Sequence, residues 1–290
     1  MYTVTSIIIT YNPNIQQINE TVHSIINQVS LCIIIDNGNT IFNFQGIENI
    51  IIVNLGKNYG IAYAQNRGIE LAQQHNADFI VLSDQDTIYP LDFIEKMISF
   101  YEQYPNKNKI GALVPHFFDK NKMCKTKLPI TKFNYIVPDE HKTYKVAHAV
   151  SSGSFIPVKN FDVIGNMREE LFIDWVDNEW CWRATNMGYE IICIPDAVIE
   201  HMMGDGVKKI RNKEMALRSK VRYYYMIRNG VYIIWYTSIL NLVEKIRFAI
   251  DLILKAIGMC FIEKNVLPLL YKAFYDGITK RMYEIAYYKK

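Results

Sequence analysis

Short β-branched runs alternate with longer amphipathic segments through the first 110 residues of this chain, and that alternation constrains its fold more than any other feature. Val4–Thr10 reads as a strand. Residues 15–28 carry apolar side chains at 15, 18, 22, 25 and 26, the spacing of one helix face. Further strands are expected at 32–35, 50–54, 78–83 and 110–115, and helices at 61–75 and 91–104. Strand and helix in alternation predict an α/β protein with a mostly parallel, Rossmann-like sheet flanked by helices. Ligands of such sheets bind outside the carboxyl ends of the strands, so the loops after the first, second and fourth strands matter most.

The remainder is less regular. Residues 116–147 are polar, Lys-rich and weakly periodic, which fits a hairpin or a mobile loop. Residues 171–187 look helical, and 190–194 look like a strand ended by Pro195. From about Met215 the chain is mostly helical. Residues 231–262 are rich in Ile and Leu but are interrupted by Glu244, Lys245, Arg247, Asp251 and Lys255. A spanning helix needs about 20 predominantly apolar residues, so these helices are expected to be amphipathic, packed on the domain or lying at a membrane surface.

Half of the residues are hydrophobic, which fills a core and argues against disorder. Five Cys without a C-x-x-C pair argue against a zinc knuckle or a disulfide scaffold. No basic n-region precedes the first strand, so no signal peptide is expected and a reducing cytoplasm is the expected compartment. Charge is polarised: residues 1–205 hold 15 Lys and Arg against 23 Asp and Glu, whereas 206–290 hold 17 against 6. Such asymmetry suggests different partners for the two parts. Anionic lipid, a diphosphate and nucleic acid would each suit the basic tail.

Several residues could carry chemistry. Asp84-Gln85-Asp86 follows an apolar strand, where two carboxylates could share a divalent cation; Mg²⁺ takes one or two protein carboxylates plus substrate phosphates. A turn or helix cap would use the same aspartates for local hydrogen bonds. Asp36 could accept from a base N–H or a ribose hydroxyl, or close an Asx-turn. Thr10, Tyr11 and Asn12 close the first strand and could line the same cleft. Asn58-Tyr59-Gly60 opens a helix whose free N–H groups attract anions, with Asn66 and Arg67 further along it.

Phe172 to Arg183 packs three acids among three Trp. On a helix Asp174 and Asp177 would share a face, and acids beside aromatics lose solvent, which raises a carboxylate pKa and makes a better base. Glu179 reads as a salt bridge to Arg183. His201 stands at a strand end, where a neutral imidazole could reach the same cation or a diphosphate; a lone His is more often structural. Arg218, Arg222, Tyr223 to Tyr225, Arg228 and Asn229 form a basic–aromatic stretch. It could stack on bases or sugars, bind a diphosphate, or simply cover a helix face.

Taken together, Thr10-Tyr11-Asn12-Pro13, Asp36-Asn37-Gly38, the Asn58 to Gly68 segment, Asp84-Gln85-Asp86, Ser152-Gly153-Ser154, Asp174-Trp175-Val176-Asp177 and His201-x-x-Gly204-Asp205 carry a resemblance. Over about residues 4–230 the chain resembles the inverting glycosyltransferases of family two, with the GT-A fold, and among them the bacterial rhamnosyltransferases. The resemblance implies a GT-A catalytic domain at 1–214, with a nucleotide-sugar half at about 1–115 and an acceptor half at about 116–214. A basic helical extension at 215–290 follows.

It also implies Mg²⁺ or Mn²⁺ and a donor, dTDP-L-rhamnose. Asp36 would contact the base, Asp84 the ribose or diphosphate, and Asp86 the metal with His201. Thr10, Tyr11, Asn12, Asn58, Gly60, Asn66, Arg67 and Gln85 would complete the donor site, with Arg218 and Arg222 at the diphosphate. Asp177 would be the general base. Asp174, Trp175, Trp180, Ser152 and Gly153 would face the acceptor, a saccharide or lipid-linked oligosaccharide of a surface polysaccharide such as O-antigen or capsule. Peripheral contact with the cytoplasmic face of the inner membrane follows from the tail. Competing readings are a UDP-galactose or UDP-N-acetylglucosamine donor, a non-catalytic sugar-binding subunit, and a nucleic-acid-binding module on the tail. The acidic N-terminal part and the lack of an RNA-binding motif speak against the last.

Overall fold

In the computed structural model the chain is described over residues 2–119, 124–139, 142–201, 207–210, 213–216 and 219–284. Its first strands, β1 (Val4–Thr10) and β2 (Leu31–Asp36), are buried along almost their whole length, as befits parallel strands covered on both faces. β3 (Ile50–Asn54) and β4 (Phe79–Asp84) complete a parallel β3-β2-β1-β4 block. The helices α1 (Ile15–Ile25) and α2 (Ile61–Gln74) connect strands of this block, and α3 (Phe93–Gln103) leads on from β4. Asn14 caps α1 by accepting from the backbone N–H groups of Gln16 and Gln17, one of the strongest helix-start signals. Period-two alternation sends Ile7, Ile33 and Ile80 to the α2 side, and Ile8, Ile34 and Val81 to the side of α1 and α3. Gly68 lets α2 approach the sheet closely, since a Cβ there would run into the side chain of Ile7.

The sheet then changes direction. β5 (Ile110–Asp119) continues through the two-residue β6 (Cys124–Lys125), the small hairpin of β7 (Leu128–Pro129) and β8 (Tyr135–Ile136), and the edge strand β9 (Tyr144–Val146). β10 (Ser154–Pro157) inserts antiparallel between β4 and β5, and β11 (Glu190–His201) runs parallel to β5. The stretch expected to be a hairpin or loop thus supplies both a hairpin and a sheet edge. β11 does not end at Pro195: the ladder skips between Ile194 and Val198 and resumes to His201, because a bulge accommodates a residue without an N–H.

α4 (Asn160–Ile164) and a 3₁₀ turn (Glu169–Leu171) lead to α5 (Val176–Asn186). Here the expected helix over 171–187 is corrected. Phe172, Asp174 and Trp175 have φ of 65°, 63° and 65°, so the chain makes a left-handed turn before the helix begins at Val176. β12 (Val207–Ile210) and β13 (Lys213–Ala216) form a second hairpin. α6 (Lys220–Tyr236), α7 (Leu242–Ile262) and α8 (Leu267–Ile278) follow. α6 is buried from Tyr223 to Ile233 and joins the α2-side core, so it is core rather than amphipathic. α7 begins with an Asn241–Glu244 capping box.

Candidate active site

Parallel pairing sets Thr10 beside Asp36 and Ile9 beside Asp84, so the tips of β1, β2 and β4 end level. Gln85 ties two of them together, its Oε1 accepting from Tyr11 N (2.9 Å) and its backbone oxygen from Thr21 Oγ1 (3.0 Å). In front of these tips lies a cleft of about 1040 Å³. One wall carries Thr10, Tyr11, Asn58, Gly60, Asp84, Gln85 and Asp86; the other carries Asp174, Trp175, Asp177 and Arg222. Acids from the fourth-strand tip and from the start of α5 therefore face one space.

Asp177 is half-buried in the lining of this cleft. Its Oδ2 accepts from Ser151 N (3.1 Å). Burial first, and the nearby Asp174 charge as well, push its pKa above the usual carboxylate value, against the N–H groups and Arg222 that lower it. Asp174 is only 5% exposed and takes a two-pronged bond from Arg222, at 2.8 Å from Nη2 and 3.3 Å from Nε. The helix-face relation expected of Asp174 and Asp177 is replaced by a turn that gives Asp174 to the guanidinium.

Other expected residues do not line the cleft. Asp36 is fully buried and accepts from Thr10 Oγ1 (2.8 Å) and Thr40 N (2.7 Å). Asn12 stands beside Gly38, on a left-handed backbone. Asn66 spends its side chain on Met167 and Glu169, and Arg67 pairs with Glu70 on the same helix. Ser152 is buried and shores the β4 tip through Asp84 N and Thr87. Gly153 packs under Pro115 and Ile199. Trp180 is core: 1% exposed, with its indole N–H on Gly165 O. Glu179 is wholly buried and pairs with Arg183 at 3.0 Å, as the i, i+4 spacing anticipates, and also with Arg168. The backbone of His201 ends β11, but its side chain and Arg218 lie outside the described residues.

The cleft also holds residues that sequence reading did not select. Asn37 bridges to Asn58 Oδ1 (2.9 Å) and to Tyr59 N (2.7 Å), locking the helix-opening loop. Tyr135, His148, Met226 and Lys255 line the cleft as well. Lys255 lies over the Trp175 ring at 5.0 Å, so the Trp on the cleft already carries a cation. No local signal marks Tyr135, His148, Met226 or Lys255, and α6 and α7 bring the last two from distant parts of the chain.

His148 Nδ1 accepts from the Trp182 indole N–H (3.2 Å), which leaves Nε2 protonated toward Tyr135 Oη (3.3 Å). Burial, then the Lys255 charge, pushes its pKa down to about 4. An unfolded histidine titrates near 6.5, so between about pH 6.5 and 4 the unfolded chain binds a proton that the folded chain refuses. Stability is therefore full above that window and falls on acidification, by about 3 kcal/mol from this group. His148→Gln should flatten the acid side of a plot of urea midpoint against pH; an unaltered acid side would contradict the assignment.

A divalent cation is compatible with these residues. Asp84 and Asp86 offer hard oxygen ligands at the cleft, and among the described residues no cluster of three His, Cys, Asp or Glu closes a complete protein cage. Mg²⁺ takes one or two protein carboxylates and completes its shell with water and substrate phosphates.

The chain belongs to glycosyl transferase family 2, whose family pattern matches residues 5–165. It is 34% identical over 235 residues to the dTDP-rhamnosyl transferase RfbF of Shigella flexneri, covering 78% of this chain and 77% of that one. It is 24% identical over 176 residues to the amylovoran biosynthesis glycosyltransferase AmsE of Erwinia amylovora, covering 60% and 62%. In fold it resembles crystal structures of S. aureus TarS 1-349 (TM-score 0.58, 14% identity, 96% of this chain and 82% of that one) and of GalNAc-T7 with UDP, GalNAc and Mn²⁺ (TM-score 0.57, 12% identity, 96% and 57%). The architecture is GT-A, and the chain is a glycosyltransferase.

Proposed function

We propose that this glycosyltransferase moves L-rhamnose from dTDP-L-rhamnose to a hydroxyl of a growing, lipid-linked surface polysaccharide, with inversion at the anomeric carbon. The observation that carries the transfer is the meeting of Asp84 and Asp86 with Asp177 across one cleft. The donor is read from the similarity to RfbF.

The β1, β2 and β4 tips would bind the nucleotide, with Asp84 at the ribose or diphosphate. Mg²⁺ or Mn²⁺ held by Asp86, with His201 as a further ligand, would neutralise charge on the departing diphosphate. Asp177 takes the proton of the acceptor hydroxyl as that oxygen bonds to the anomeric carbon. The carbon–phosphate-oxygen bond breaks on the opposite face, and its electron pair leaves with the nucleoside diphosphate. A positioned base of this kind contributes about 10²–10⁴-fold. The raised pKa of Asp177 suits the task, because a base works best with a pKa near the operating pH. A panel of nucleotide sugars, with and without Mg²⁺, tests the reading: dTDP should be released from dTDP-L-rhamnose, dependent on metal and acceptor. Release only from a UDP-hexose would overturn the donor, and release from none would overturn the transfer.

Peripheral contact with an anionic cytoplasmic membrane face belongs to the same reading. Among the described residues no helix is long and apolar enough to cross a membrane. The outer face of α7 nevertheless exposes Val243, Ile246, Ile250, Ile253, Ile257 and Phe261 at helical spacing. Lys245 and Lys264 border the α7–α8 pair, and among the described residues they form no ion pair. Apolar stripe plus free cations is the chemistry of a helix lying in an anionic interface. The wild-type chain should float with phosphatidylglycerol vesicles and not with phosphatidylcholine. Ile250→Glu with Ile253→Glu should abolish flotation; retained flotation would contradict this face.

A further inference from the structure

Two neighbouring side chains of α6 end on the backbone of the turn that precedes Asp177. The Asn229 amide donates to the carbonyls of Leu171 (2.8 Å), Ile173 (2.8 Å) and Asp174 (3.0 Å). Arg228 donates to Leu171 O (2.9 Å) and Glu170 O (3.1 Å), and reaches Tyr283 O with its other terminal nitrogen. The two are locked to each other, Asn229 Oδ1 accepting from Arg228 Nε (2.8 Å) and Nη2 (2.7 Å). Both are completely buried, with the guanidinium 4.8 Å from the Tyr225 ring centre.

Burying a guanidinium against carbonyls, with Asp276 engaged elsewhere by Tyr224 and Lys272, is an expensive way to pack a helix; apolar residues of like volume often do it as well or better. What the pair touches supplies a reason. Phe172, Asp174 and Trp175 lie in left-handed conformations that non-glycine residues hold only when their surroundings impose them. That turn delivers Asp174 to Arg222 and starts α5, whose second residue is Asp177. α6 also lies beyond residues 5–165, the part matched by the family pattern.

We propose that Arg228 and Asn229 are positioning residues, which hold the left-handed turn at 172–175 and through it aim the Asp177 carboxylate at the acceptor hydroxyl. This rests on the reading of Asp177 as the base. Asn229→Ala in the full chain removes all three carbonyl contacts. It should lower kcat about 10–100-fold, the scale of a misplaced catalytic group, while the affinity for dTDP with Mg²⁺ stays within about twofold of wild type, a shift too small to signal a damaged nucleotide half. The acid limb of the kcat–pH profile should move to lower pH as water reaches Asp177. Arg228→Lys, which keeps the charge and one donor, should show the same pattern more weakly, and it carries the test if Asn229→Ala does not fold. Ile25→Ala, in the core on the other face of the sheet, gives a comparison for lost thermal stability and should leave the acid limb in place. A folded Asn229→Ala or Arg228→Lys with wild-type kcat and an unmoved acid limb overturns the positioning role. Normal turnover in Asp177→Asn would instead overturn the base, so the two failures are distinguishable.

Discussion

Asp177→Asn is expected to bind the donor normally and to transfer sugar about 10²–10⁴-fold more slowly, a loss of roughly 3–5 kcal/mol of transition-state stabilisation. The substitution keeps the shape of the side chain, and its oxygen can still accept from Ser151 N. What disappears is the proton acceptor. Folding should not suffer, because the buried charge that Asp177 maintains against desolvation is removed as well. The wild-type rate should fall on acidification through a pKa above that of an ordinary carboxylate, since the base must be ionised to act. Steady-state transfer with a soluble acceptor, together with titration of dTDP and Mg²⁺, measures both halves. Comparable turnover by the variant would remove Asp177 from the chemistry.

Gly60→Ala should cost about 2–5 kcal/mol of stability, the sum of left-handed strain and overpacking. Gly60 has φ +91°, and a Cβ there would stand 2.6 Å from Phe172 O and Cδ2. Ile61 N donates to that same carbonyl at 2.7 Å, so the loop opening α2 leans directly on the turn leading to Asp177. Neither atom yields readily: the carbonyl is backbone, flanked by Leu171 and Ile173 carbonyls that Asn229 holds, and the ring is stacked on Tyr225. Thermal unfolding should drop by about 5–15 °C for a chain of this size. Gly188 is the comparison: its φ is +85° but nothing lies within 4 Å of a Cβ, so Gly188→Ala bears the strain alone. If Gly60→Ala were no worse than Gly188→Ala, the contact between the two walls of the cleft would be wrong.

The strands of the first half were legible because their side chains answer to local rules: β1, β2 and β4 are buried on both faces and read as largely apolar runs rich in Ile and Val. Asp84, Asp86 and Asp177 were legible as cleft residues because each sits in a motif at a strand end or a helix start. The turn at 172–175 was not, since Phe172, Trp175 and Trp180 continue a helix-like pattern while the backbone is held left-handed by contacts from α6. Trp175 and Trp180 are indistinguishable in sequence, yet one reaches the cleft and the other fills the core. Lys255 and His148 were illegible for a related reason. Their role comes from packing partners remote along the chain, and period alone assigns α7 to a core or an interface.

In the proposed reaction the cleft has two chemically distinct walls, a diphosphate-and-metal wall at the β4 tip and a proton-accepting wall at α5. Calorimetric titration of dTDP with and without Mg²⁺, into wild type, Asp86→Asn and Asp177→Asn, tests this division most directly. Asp86→Asn should lose the Mg²⁺-dependent gain in affinity while Asp177→Asn keeps it. Equal loss in both variants, or an undiminished Mg²⁺ effect in Asp86→Asn, would contradict the division of the site.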